Sequence, residues 1–261
     1  MKNILLITSL SFISLTSSAN LLWEPEQHQH HTHHRGKPGY FLSDPKHATT
    51  TLIAPDLTTR NIKLKNGVAK PRPTGMNNYH ALLAERHSEN LHEAAIRYIT
   101  MRGKKTRHSP FKLVNANKTE LEIIPAPLPR EHRRYHSGTD IVFELRFKGW
   151  QLNNVPVTLK TSNGSVISSM TDVSGQVKFS LPEDFVQVKP GRRNNPAQEF
   201  TISTEYTRNS DIYRSSLSMP YYVNPTHWQS NTLAMTFAGS GFIVGLGVMA
   251  YSRKNNKKDK S

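Results

Sequence analysis

The sequence predicts a mainly β protein, with an immunoglobulin-like or prealbumin-like β-sandwich that follows a small helical segment and precedes one C-terminal transmembrane helix. Within residues 113–224, short segments of alternating polarity recur at intervals of about ten residues, and turn-forming pairs divide them. Apolar stretches near both ends of the chain have the properties of membrane-targeting segments. These observations predict an exported sandwich held at a membrane.

Residues 1–19 have the layout of a secretory signal peptide, with Lys2, an apolar stretch and a small-residue end. Residues 233–251 are uncharged and apolar, and about 20 such residues cross the hydrocarbon core as a helix. The basic tail, residues 252–261, favours the cytoplasmic side. We therefore expect a single-pass inner-membrane protein with a periplasmic ectodomain. The alternatives are an uncleaved first anchor and a buried second helix.

Gly241 and Gly245 form a G-x-x-x-G pair within residues 233–251. This spacing places both glycines on one helical face and lets a partner helix approach closely. We expect transmembrane packing there, and ordinary glycine usage in membrane helices is the alternative.

Residues 20–75 are rich in Pro, His, Thr and Lys, and we expect them to be poorly ordered, with at best a few short strands. Neutral imidazole suits Zn²⁺, Cu²⁺ and Ni²⁺. A divalent transition metal (Ni, Co, Cu or Zn) is therefore the expected cofactor, and no organic cofactor is expected. The alternatives to metal binding by this histidine-rich region are a disordered polar tail, a pH-responsive segment and an expression tag. The expected ligands are five clustered histidines: His28, His30, His31, His33 and His34.

Residues 76–112 have helix-forming composition, and Gly103 with the following lysines would end the helix. His87 and His92 are further candidate metal ligands, because histidines and carboxylates on one helix can form a metal site. A solvated face with ordinary salt bridges is the alternative, because no H-E-x-x-H motif occurs.

From residue 113 the apolar period is two, which predicts about seven strands. Asn163-Gly164 and Ser174-Gly175 are typical turn pairs. Asp172 is expected to close an Asx turn, with Gly175 at a positive φ, so this motif indicates architecture and not catalysis.

The chain has a formal net charge of +15 and contains no cysteine. The absence of cysteine excludes disulfides, thiolate metal sites and a lipid-modified cysteine. We expect no nucleic-acid partner, because an exported domain rarely meets one and no zinc-finger, RNP or helix-turn-helix pattern occurs. The positive charge is consistent with attraction to the anionic cell envelope or with a well-solvated surface.

Several segments, in order, resemble a bacterial periplasmic family of uncharacterised proteins described as cobalt or nickel uptake components. They are Leu22-Trp23-Glu24-Pro25, Leu121 to Pro125, the turn at Asp172 and the Phe-x-Leu-Pro that ends at Pro182. The resemblance implies a carboxypeptidase-regulatory-like sandwich and a role in cation uptake. It provides no catalytic residues.

These patterns together predict a membrane-anchored periplasmic metal-binding protein that assists uptake or handling of a transition metal. Its expected partners are the inner membrane and a metal transporter or outer-membrane receptor. The alternative is a non-catalytic envelope interaction module. We do not expect an enzyme, because the sequence has no G-x-S-x-G, zincin or paired-carboxylate arrangement.

Overall fold

The computed structural model describes residues 21–26, 38–129 and 134–229. Within these ranges no helix has both the length and the apolar character needed to cross a bilayer. Several predictions fall outside the described residues: the signal peptide (1–19), the clustered histidines (28–34), the expected transmembrane segment (233–251) with Gly241 and Gly245, and the basic tail (252–261).

The fold is mainly β and is built around one ten-stranded sheet. Eight of its strands form a continuous path, and two short strands pair with members of this path at its margins. In path order the strands are β14 Val166–Met170, β13 Pro156–Thr161, β16 Gln198–Arg208, β17 Asp211–Tyr222, β7 Leu91–Met101, β6 Met76–Ser88, β3 Thr49–Ile53 and β4 Thr59–Asn61, with β10 Tyr135–His136 and β8 Lys104–Lys105 at the margins.

Two long hairpins form the centre of this sheet. Strands β6 and β7 form the first hairpin, and β16 and β17 form the second. Asn209 and Ser210 make the second turn, both at positive φ, which matches the right-handed twist of the strands. Because β7 runs parallel to β17, both hairpin turns lie at one end of the sheet, which we name the turn end. The opposite end, where β17 finishes at Tyr222, is the exit end, about 36 Å away.

A smaller sheet packs on each face of the large sheet. On one face a four-stranded sheet encloses the main core, which includes Phe143, Phe179, Phe200 and Leu217. This packing is consistent with a β-sandwich. The strands of this sheet are β9 Leu121–Pro125, β11 Asp140–Phe147, β12 Trp150–Gln151 and β15 Gln176–Ser180.

On the other face lies a three-stranded sheet made of β1 Trp23–Pro25, β2 Tyr40–Leu42 and β5 Val68–Ala69. Trp23 is buried against Leu82, Ala84 and Ala95, and its indole Nε1 donates to the Ala95 carbonyl at 3.1 Å. The described part of residues 20–75 has the few short strands that the sequence allowed, and their packing on the large sheet corrects the expectation that this region is poorly ordered.

The predicted helix within residues 76–112 is wrong. Its residues form β6 and β7, and the single α-helix among the described residues is the short α1, Pro110–Asn115. The apolar run misled the prediction because these strands are buried on both faces. Leu82 faces the small core around Trp23 while Leu83 faces the main core, so no alternation of polarity is visible in the sequence.

The prediction for the turn at Asp172 is confirmed. The Asp172 carboxylate accepts hydrogen bonds from the backbone nitrogens of Ser174 at 2.8 Å and Gln176 at 2.9 Å. Gly175 has a φ of 71°, in the left-handed region that glycine adopts without strain. The motif therefore returns the chain into β15, as expected from the sequence.

Candidate metal centre

Three possible metal ligands meet at the turn end of the large sheet. They are the imidazoles of His87 and His92 and the carboxylate of Glu120, and one ligand atom from each lies within 4.8 Å of the other two. The Nδ1 atoms of the two histidines are 2.9 Å apart, and His92 Nδ1 is 3.1 Å from Glu120 Oε2. His92 thus occupies the middle of the cluster.

The hairpin register brings the two histidines together. His87 on β6 lies directly opposite His92 on β7, and directly opposed side chains on one face of an antiparallel pair are in contact. Glu120 is the residue before β9, and its backbone carbonyl accepts a hydrogen bond from the Lys148 backbone N–H at 2.6 Å. The cluster therefore joins the large sheet to the four-stranded sheet.

Aromatic packing fixes the orientation of His92. Its ring stacks on Tyr213, with ring centres 4.7 Å apart and planes 20° apart. Phe147 contacts the same tyrosine edge-on, with a centroid distance of 4.7 Å. Because Tyr213 lies on the neighbouring strand β17, the second hairpin supports the ligands carried by the first.

A row of alternating charges lies on the opposite face of the same strands. Arg86 donates to the buried carboxylate of Glu93, and Arg86 also pairs with Asp44 at 2.6 Å. On the next strands Arg214 pairs with Glu205 at 2.7 Å and lies 3.9 Å from Glu93. These ion pairs cross four strands next to the histidines, so they reinforce the register that places His87 opposite His92.

Two further charged groups shape the electrostatics of the cluster. Lys148 Nζ lies 2.8 Å from Glu120 Oε1, so the carboxylate is shared between an ammonium and an imidazole. Burial raises the pKa of the Glu85 carboxyl; the charge of His87 lowers that pKa and the charge of Glu120 raises it. Glu85 therefore adds a second carboxylate close to the three ligands.

The arrangement fits a small divalent transition metal ion. Ligand atoms bound at 2.0–2.1 Å around a tetrahedral ion are about 3.3 Å apart, close to the separations of 2.9 and 3.1 Å seen here. Two imidazoles and one carboxylate suit Zn²⁺ and the neighbouring ions of the series. Three protein ligands also leave a coordination position for water or an incoming ligand.

The sequence singled out two members of this cluster for the wrong structural reason. His87 and His92 were expected on a helix, whereas they are cross-strand neighbours in a hairpin. Glu120 was not identified, because its proximity depends on the packing of two sheets. His80, on the predicted helix, is buried instead and hydrogen-bonds to Thr74 Oγ1 at 2.6 Å.

The five clustered histidines lie outside the described residues, in the sequence between β1 and β2. Their segment, residues 27–37, connects β1 to β2 in the chain. At its two ends, Glu26 donates its backbone N–H to the Gly39 carbonyl at 2.9 Å. In the first strand after this segment, the Tyr40 ring lies under the Arg97 guanidinium. Arg97 is on the face of β7 opposite the His92 side chain, about 17 Å from His92 along the strand.

Comparison with known proteins identifies no family. No protein-family model matches the chain, and neither does any curated protein. A solved structure of a 1.5-MDa bacterial ice-binding adhesin is similar over 72% of this chain and 57% of its own, at 9% identity and a TM-score of 0.27. A Ca²⁺-stabilized adhesin that helps an Antarctic bacterium bind ice matches over 72% and 43%, at 10% identity and 0.27. The chain thus spans about half of each, and similarity this low carries no argument about function.

Proposed function

We propose that the protein binds a divalent transition metal ion in the periplasm, with His87, His92 and Glu120 as ligands. The observation that carries this proposal is the convergence, within 4.8 Å, of two imidazoles on the first hairpin and the carboxylate that precedes β9. The five histidines in residues 28–34 add a second, separate group of ligands between β1 and β2. Ni²⁺, Co²⁺, Cu²⁺ and Zn²⁺ all suit these donors.

The exposure of the cluster supports handling of the ion over permanent structural binding. The His92 side chain is 26% exposed and the Glu120 side chain 34%, so water and an accepting ligand can reach both. Structural zinc sites are instead closed by four protein ligands. An accessible site with three protein ligands allows the ion to be passed on by ligand exchange.

The proposal includes the membrane tether. Residues 1–19 direct export, residues 233–251 anchor the chain with Gly241 and Gly245 at a helix-packing face, and residues 252–261 remain cytoplasmic. The sandwich is of the immunoglobulin-like or prealbumin-like type. The exit end then faces the inner membrane, and the turn end presents its ligands about 36 Å away, where a metal transporter or outer-membrane receptor can meet them.

Titration calorimetry of the full chain tests the proposal. With Zn²⁺ or Ni²⁺ we expect two classes of binding, one from the cluster and one from residues 28–34. Replacing the five clustered histidines with serine should leave one tight site per chain, whereas His87→Ala/His92→Ala should remove that site and leave the other class. If the latter variant binds as much metal as the wild type at every affinity, the cluster is not a metal site.

Lys148 is expected to compete with the metal for Glu120. Its ammonium offsets the carboxylate charge at Oε1 and repels an ion held at Oε2, so Lys148→Gln should strengthen binding by about 1.5- to 5-fold, the typical effect of an exposed ion pair. Lys46→Gln, which changes an exposed lysine by the same charge, serves as the matched control. Equal gains in both variants would indicate a general effect of net charge; a competition titration measures the difference.

A further inference from the structure

A cavity of about 250 Å³ lies at the exit end of the large sheet. Its described lining includes two arginines, a histidine and two large aromatic residues, and none of the described residues that line it is acidic. The five side chains that matter are Arg134, His136, Arg192, Tyr222 and Trp228.

The cationic side chains surround a common space. The Arg134 guanidinium lies 4.2 Å from the centre of the Tyr222 ring, and the His136 ring is 6.5 Å from the same ring. Burial lowers the pKa of His136, and the positive charges of Arg134 and Arg192 lower it further. Two guanidinium groups thus approach one neutral imidazole, which is an arrangement suited to an oxyanion such as phosphate.

Both sides of the cavity are held by hydrogen bonds. The Asn195 amide donates to the carbonyls of Lys189 at 2.6 Å and Gly191 at 2.9 Å, which fixes the turn that carries Arg192. Asn224 binds Ser137 through its backbone N–H at 3.1 Å and its side chain at 3.2 Å. The segment that leads to Trp228 is therefore attached to the strand that carries His136.

The position of the cavity in the chain connects it to a membrane surface. Gln229 lines the cavity, and the apolar residues 233–251 begin four positions later. Aromatic side chains concentrate where a membrane helix meets the headgroups, and basic side chains near the surface are attracted to anionic lipid. The aromatic and basic composition of the lining matches that environment.

We infer that this cavity binds the phosphate of an anionic phospholipid headgroup and so docks the exit end of the ectodomain onto the bilayer. The inference rests on the membrane tether in the proposed function and is independent of the metal site. Arg134 and Arg192 bind the phosphate, and Trp228 inserts among the headgroups. The turn end with its metal ligands is thereby held away from the membrane.

Fluorescence quenching of the full chain in vesicles tests this inference. The vesicles contain phosphatidylcholine with increasing fractions of phosphatidylglycerol, and the acyl chains of all lipids are brominated. Subtracting the signal of Trp228→Phe isolates Trp228, and Trp150 at the turn end is the distal reference. We expect Trp228 quenching to rise with phosphatidylglycerol, and Arg134→Gln/Arg192→Gln to raise the fraction needed for half of this rise on the order of tenfold.

The control variant Lys46→Gln/Arg208→Gln removes the same charge at the turn end, and its quenching should match the wild type. The inference is overturned if Trp228 quenching does not depend on the phosphatidylglycerol fraction, or if Arg134→Gln/Arg192→Gln leaves that dependence unchanged. The inference is also overturned if millimolar inorganic phosphate changes Trp228 fluorescence in phosphatidylcholine vesicles while phosphatidylglycerol has no effect. That result would indicate a site for a free anion. Extraction of the chain by alkaline carbonate would instead contradict the tether itself.

Discussion

Replacing His92 with alanine is expected to weaken metal binding at the turn end by at least about 100-fold, since loss of even an outer-shell partner costs 10- to 100-fold. His92 is the central ligand, within 2.9 Å of His87 and 3.1 Å of Glu120. Without it, one imidazole and one carboxylate remain as ligands, and they come from two different sheets. Competition with a chromophoric chelator measures the affinity.

Two controls separate loss of a ligand from loss of structure. His227 is an exposed histidine at the exit end, so His227→Ala removes one imidazole and should leave the affinity of the cluster unchanged. Tyr213→Phe keeps the ring that stacks on His92 and should also retain binding. If His92→Ala and His227→Ala bind metal equally well, the cluster is not the tight site.

Replacing Lys118 with methionine is expected to lower the free energy of unfolding by about 3–5 kcal/mol, the usual cost of leaving one member of a buried ion pair alone. The Lys118 and Glu122 side chains are 1% and 2% exposed and pair at 2.5 Å. Lys118 Nζ also donates to the carbonyls of Leu113 and Val114, at the end of α1, and to that of Ala116. Its loss leaves a buried carboxylate without its counterion, although the backbone N–H of residue 118 still donates to it at 3.2 Å, and it leaves three carbonyls without the ammonium donor.

Urea denaturation of the single and double variants measures this effect. Lys118→Met/Glu122→Leu removes both charges, so it should recover part of the lost stability, because well-packed apolar residues can replace a buried ion pair at little cost. Lys178→Met disrupts an exposed pair with Asp140 and should leave the unfolding midpoint close to that of the wild type. Equal unfolding midpoints for Lys118→Met and the wild type would contradict the assigned role.

The second half of the fold could be predicted from the sequence because local rules determine it. Strands such as β11 and β15 have one buried and one more exposed face, and their alternation is visible in the residues themselves. Turn chemistry at Asp172 and Gly175 marks the boundary between strands. In contrast, the first hairpin is covered by a layer on each face, so its residues are apolar without alternation and suggested a helix.

The candidate site was predictable only in part. Histidine and carboxylate composition drew attention to His87 and His92, but their contact depends on a two-residue turn that sets the register. Glu120 lies 28 residues beyond His92 in the chain and reaches it through sheet packing. No periodicity in a single sequence reports such a contact, so the third ligand and its competitor Lys148 required the fold.

The most direct test of the metal proposal is anomalous diffraction from crystals of the full chain grown with one equivalent of Zn²⁺ and measured on both sides of the zinc absorption edge. We predict one strong anomalous peak at the turn end, about 2.0–2.2 Å from an imidazole nitrogen of His87, one of His92 and a carboxylate oxygen of Glu120. Zinc peaks located elsewhere, with none at these three side chains, would contradict the assignment.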